Sequence, residues 1–141
     1  MRNYEITFLI DPVLPKEEIA TIPDTYLDLM KGANCKIVHA DRLGLKQLAY
    51  PINKRTTAIY HCVEFQTDDS AIIDKMELAM RRDERIMRFL TVKLDKYGVQ
   101  YNADKRAGKI PRKREEPKAE VPVERASAPT QASSSSKQEE E

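Results

Sequence analysis

The sequence predicts an α+β domain of order β-α-β-β-α-β: a four-stranded antiparallel sheet with two helices on one face, the ferredoxin-like arrangement. Three observations predict it. Apolar and polar residues alternate in four separate runs, apolar residues recur at helical spacing in two others, and all six fall within residues 1–97 of a 141-residue chain. From Gly98 onward the patterning stops, which sets the expected end of the folded part.

Residues 3–10 place Tyr4, Ile6, Phe8 and Ile10 against Asn3, Glu5 and Thr7, the period of a half-buried strand, and Asp11-Pro12 stops it. Pro15, Glu17 and Glu18 then open a helix, since a fixed φ and negative charge both suit a helix N-terminus. Its apolar stripe is Ile19, Ile22, Tyr26, Leu29 and Met30. Pro23 lies inside that helix, where it removes a hydrogen bond and crowds the preceding turn, so a kink or a restart is expected there. Gly32 is the expected terminator.

Alternation returns from Cys35 to Leu48, with Gly44 marking a bulge or close approach within the strand. After Tyr50-Pro51-Ile52-Asn53-Lys54, the run TTAIYHCVEFQ puts Ile59, His61, Val63 and Phe65 on one face, close enough to the preceding strand for a hairpin. Thr67 or Asp68 is the expected cap of a second helix with Ile72, Ile73, Met76, Ala79 and Met80 on its stripe. A last strand runs from about Ile86 to Leu94. With both helices on one face, the other face is left open, and parity assigns it Glu5, Thr7, Tyr60, Glu64, Phe89, Thr91 and Lys93.

Charge is distributed unevenly behind a net value of +1, from 24 Lys and Arg against 23 Asp and Glu. Residues 1–97 carry fifteen of each sign, so the domain is neutral. Residues 98–141 form the expected flexible polar tail, too poor in large apolar groups to offset backbone ordering; its 105–114 segment is basic and its C-terminus acidic. No apolar run approaches the roughly 18–20 residues of a membrane span and no signal region precedes the first strand, so the expected compartment is the cytosol. Cys35 and Cys62 lack metal or redox spacing and read as two buried thiols.

Reactive constellations are missing from the pattern. His39 and His61 lack ligand spacing, His61 falls on an apolar strand face as a core or rim histidine, and four glycines cannot form a phosphate-cradling loop. The expected protein is therefore not an enzyme, with no cofactor, no metal, no membrane and no small-molecule substrate. Among nucleic-acid binders, a base-stacking RNA-recognition motif is excluded by a third strand without the required glycines and basic start. Local cations remain: Arg2, Lys46, Lys54, and the group Arg81, Arg82, Arg85 and Arg88. Ion pairing of Arg81 and Arg82 with Glu77, Asp83 or Glu84 is the alternative for part of that group. A domain that self-associates through its open sheet face or binds a small ligand, and a purely protein-binding assembly module, also fit the residues taken alone.

Three strings narrow the field: Met1-Arg2-Asn3-Tyr4-Glu5-Ile6, the Gly44–Lys54 segment GLKQLAYPINK, and Arg81-Arg82-Asp83-Glu84-Arg85-Ile86-Met87-Arg88. In this order and spacing, over residues 1–97, the chain resembles bacterial small-subunit ribosomal protein six. The resemblance implies a non-enzymatic constituent of the small ribosomal subunit, active in translation and subunit assembly in the cytoplasm. It further implies binding to the central domain of small-subunit (16S) rRNA as a heterodimer with small-subunit ribosomal protein eighteen, a strongly basic partner for a neutral domain. By motif position it implies Arg2, Tyr4, Lys46, Arg88 and Lys93 as rRNA contacts, with Gln47 departing from a basic residue often found there. Lys105, Arg106, Lys109, Arg112, Lys113 and Arg114 lie outside the resemblance and are expected tail contacts to rRNA, because a flexible basic arm gains affinity by releasing counterions.

Overall fold

The computed structural model describes residues 1–111. Its elements are β1 (Arg2–Ile10), α1 (Lys16–Gly32), β2 (Lys36–Ile52), β3 (Arg55–Thr67), α2 (Ala71–Arg82), β4 (Ile86–Lys93) and α3 (Lys96–Arg106). The first six follow the predicted order, and the four strands form one antiparallel sheet in the order β2-β3-β1-β4.

Register fixes the faces. Tyr4, Ile6, Phe8 and Ile10 of β1 stand opposite Phe65, Val63, His61 and Ile59 of β3, and these side chains meet Ile22, Tyr26 and Met30 of α1 and Ile72, Met76 and Met80 of α2. Each fully buried side chain of this size contributes about 1.5–3 kcal/mol of transfer free energy, so this layer is what holds the helices to the sheet. Tyr4 stacks on Phe65, and Phe8 touches both Tyr26 and His61.

Several local expectations are refined. Helix α1 runs unbroken through Pro23, whose ring is buried beside Ile22 and Tyr26. Reversal after α1 falls on Asn34 (φ 58°), not on Gly32, and Cys35 N–H donates to Met30 O at 3.0 Å. Asparagine tolerates the left-handed region well enough to take the role usually left to glycine. Helix α2 starts at Ala71, later than a Thr67 or Asp68 cap implies: Thr67 instead forms a turn with Asp69, and Asp69 Oδ1 accepts from Ala71 N–H. Gly44 does sit at a register shift in β2, with φ 79°. Asn53 and Lys54, both at positive φ, close the β2–β3 hairpin between the paired residues Ile52 and Arg55.

Two larger expectations are corrected. Phe89, Thr91 and Lys93 pair with Phe8, Ile6 and Tyr4, so they lie on the helix face, while Leu90 and Val92 stand on the open face, 65% and 43% exposed. Alternation separates two faces of a strand without saying which is inward, and β4 carries apolar groups on both. The folded part also passes residue 97. Lys96–Arg106 forms α3, capped by Asp95 accepting from Gly98 N–H at 2.7 Å. With no residue buried, α3 carries no apolar stripe, and periodicity does not announce it.

Candidate RNA and partner interface

The sequence-derived cations divide into separate places. On the open face, Arg88 stands opposite Leu9 and Lys46 opposite Ala58, both toward the sheet end where β1 finishes. Between them lies a second apolar cluster: Leu9, Ile52 and Ala58 are buried, with Leu48, Tyr60 and Met87 packed around them. Residues 48–51 fall at a break in the β2–β3 register, which lets the hairpin curl over this face. The curl brings the Tyr50 ring to 6.0 Å from the Arg88 guanidinium carbon, even though β2 and β4 are opposite edges of the sheet. The ring steadies the cation without neutralising it, and leaves its donors to solvent. From the sequence, Tyr50-Pro51-Ile52 reads as a rigid hairpin bend packed on the core or as a direct partner contact, and the approach of Tyr50 to Arg88 is not visible there.

Beside Arg88, a pocket of about 270 Å³ opens between the end of α2 and β4, lined by Met80, Arg81, Ile86, Met87, Arg88 and Phe89. Among the described residues Arg81 and Arg82 form no ion pair, so the pairing with Glu77, Asp83 or Glu84 is not made. Arg85 is engaged differently. It grips Asp83 through Nε and an Nη at 2.9 Å each, and Asp83 also accepts from the Tyr26 hydroxyl at 2.9 Å. Those hydrogen bonds, chiefly from Arg85, hold the Asp83 carboxyl below the usual carboxylate range. Burial and Asp83 together push the Tyr26 phenol up.

Arg2 and Lys93 form the other group, at the opposite end and on the helix face, since Arg2 pairs with Thr67 and Lys93 with Tyr4. Leu9 lies seven steps along β1 from Arg2, a span of roughly 23 Å at ~3.3 Å per residue. Tyr4, between Arg2 and the core, is 8% exposed and stacked on Phe65. Its ring is a core element and is not free to stack on a base.

Of the C-terminal cations, Lys105 is exposed, Lys109 pairs with Asp104 at 3.5 Å, and Arg106 is committed to Glu64. Arg106, expected among the tail contacts, here has a partner on the sheet. Arg112, Lys113 and Arg114 lie outside the described residues. His61 is buried against Phe8, and burial with the nearby Arg42 keeps its pKa below the ordinary histidine value. Cys35 is buried as expected, whereas Cys62 is only half-buried on the open face; burial pushes its thiol up, which makes it a poor nucleophile. Among the described residues no group of three His, Cys, Asp or Glu is placed to hold a metal ion, and no helix is long and apolar enough to cross a membrane.

These features define a split β-α-β domain with one helix-covered face, one open face and cations held at strand ends. Residues 3–93 match the family model described as Ribosomal protein S6. The chain belongs to the ribosomal protein S6 family, as its resemblance implies. It is 41% identical over 113 residues to small ribosomal subunit protein bS6 of Bacteroides thetaiotaomicron, covering 80% of this chain and 98% of the relative. The same protein of Parabacteroides distasonis is 43% identical over 106 residues, 75% of this chain and 89% of the relative. The crystal structure of 30S ribosomal protein S6 from Thermotoga maritima shares the fold, with a TM-score of 0.64 at 24% identity, covering 77% of this chain and 98% of that one. The chain is thus a small-subunit ribosomal protein, a structural component and not an enzyme.

Proposed function

We propose that this protein binds the central domain of 16S rRNA as a heterodimer with small-subunit ribosomal protein eighteen, in the cytoplasm, and serves subunit assembly and translation. The observation that carries the proposal is the placement of exposed cations in two separate groups on a neutral domain of a ribosomal family: Arg2 with Lys93, and Lys46 with Arg88. Four phosphate contacts position a protein on RNA without giving it high affinity alone, so a basic partner supplies the rest. Tyr4 takes part by fixing the strand from which Arg2 projects. Lys105, with Arg112, Lys113 and Arg114, adds contacts that do not depend on RNA sequence.

The test is binding to a central-domain rRNA fragment with and without protein eighteen. Binding is expected to strengthen when protein eighteen is present, and the protein is expected to co-sediment with small subunits. Replacing Arg2 and Arg88 together by alanine is expected to weaken the ternary complex by at least about tenfold, each lost phosphate contact also lowering the salt slope by about one unit. A soluble homodimer indifferent to both rRNA and protein eighteen is the result that overturns the proposal.

A further inference from the structure

Glu5 and Glu64 stand directly opposite each other on β1 and β3, with both side chains on the open face. Like charges so placed repel, and Glu64 is 4% exposed, so water cannot relieve the pair. Helix α3 provides the donors. Asn102 Nδ2 donates to Glu5 Oε2 at 2.9 Å and to Glu64 Oε2 at 3.4 Å, and Arg106 donates to Glu64 Oε2 at 2.5 Å.

That provision is incomplete. Glu64 Oε1 is buried with no hydrogen-bond partner among the described residues. A guanidinium seated on a carboxylate commonly uses two parallel N–H donors, and Arg106 gives Glu64 only one. Helix α3 has few other ties: no residue of it is buried, Tyr97 and Tyr101 are exposed, and among the described residues Asn102 and Arg106 make its only side-chain hydrogen bonds to the sheet. It also lies beyond the residues 3–93 matched by the family model, whereas Glu5 and Glu64 lie within them. Next to the two carboxylates, Val92 opposite Glu5 and Leu90 opposite Thr7 expose apolar surface on β4. Carboxylates beside an apolar strip suit a segment that presents an arginine and an apolar side chain together.

We infer that the Glu5–Glu64 pair is a guanidinium-receiving site for a basic protein partner, and that α3 is a displaceable occupant whose Arg106 and Asn102 stand where the partner's arginine docks. The inference rests on the partnership proposed above, with protein eighteen as the basic partner. An internal competitor lowers apparent affinity by the fraction of molecules in which the site is covered, so removing it tightens binding with no new contact.

The experiment measures binding of protein eighteen to the full chain. Arg106→Gln is expected to bind about tenfold more tightly, for a site covered in roughly nine molecules of ten. Glu64→Gln is expected to bind at least about tenfold more weakly, having lost the charge that receives the arginine. In the wild-type complex, amide exchange in α3 is expected to speed up. Thermal melts establish that each variant is folded, and Glu5→Gln replaces Glu64→Gln should the latter not fold, with weakening again expected. Unchanged or weaker binding by Arg106→Gln, or slower α3 exchange in the complex, overturns the inference while leaving the partnership intact. Failure of the wild-type chain to bind protein eighteen removes the partnership and this site assignment together.

Discussion

Asp83 concentrates four hydrogen bonds in one carboxylate: two from the Arg85 guanidinium, one from the Arg85 backbone N–H and one from the Tyr26 hydroxyl. Because these lower its pKa in the folded state, its contribution to stability is complete above the ordinary carboxylate value near ~4 and is lost as the pH falls through the lower folded value. Asp83→Asn is expected to lower stability by about 1–2 kcal/mol at neutral pH, and to flatten the acid limb of the stability profile in urea titrations. Gly44 offers a complementary case. A Cβ there meets nothing within 4 Å, so Gly44→Ala is expected to cost about 1 kcal/mol from the positive φ alone, read as a shift in the urea midpoint with an unchanged slope. Gly44 was legible in the sequence as an irregularity because a glycine inside an alternating run packs nothing on either face and frees the backbone to bend. Asp83 was not: Arg85 is its neighbour in the turn before β4, but Tyr26 lies on α1 and only the packed fold brings it within reach.

At the scale of elements, strong alternation and helical periodicity located all six predicted segments, because burial of one face imposes those periods. Two elements differ from expectation for one physical reason: each departs from the rule that apolar residues face inward. In β4 both faces are apolar, and only the β1 register decides that Phe89 is inside. In α3 neither face is, and the helix rests on a cap and polar contacts. Alanine substitution separates the faces of β4: Phe89→Ala is expected to cost about 2–4 kcal/mol, and Leu90→Ala less than about 0.5 kcal/mol, by chemical denaturation. The candidate site was legible only in outline. Its cations stand in recognisable strings, but their division between two faces follows from strand pairing. Tyr50 under Arg88 follows from a register break that no local pattern announces.

For the whole molecule, a net charge of +1 conceals a neutral stretch to residue 97, a basic block at 105–114 that begins inside α3, and an acidic C-terminus. Arg2, Lys46, Arg88 and Lys93 together are expected to contribute about −3 to the log–log salt slope of rRNA binding, a loss on the order of 50-fold in affinity between 50 and 200 mM salt. A slope near zero in a filter-binding titration excludes these cations as phosphate contacts. The two edge strands carry another consequence. β2 is 17 residues long, yet its pairing with β3 shifts at three places, and Pro51 removes a backbone donor; β4, the other edge, is only eight residues. A straight, uninterrupted edge is a template on which further chains add strand by strand. Here the template is broken on one side and short on the other. Newly made protein awaiting its place in the subunit is therefore expected to stay dispersed, as read by light scattering, at concentrations where a flat edge of the same length seeds fibres.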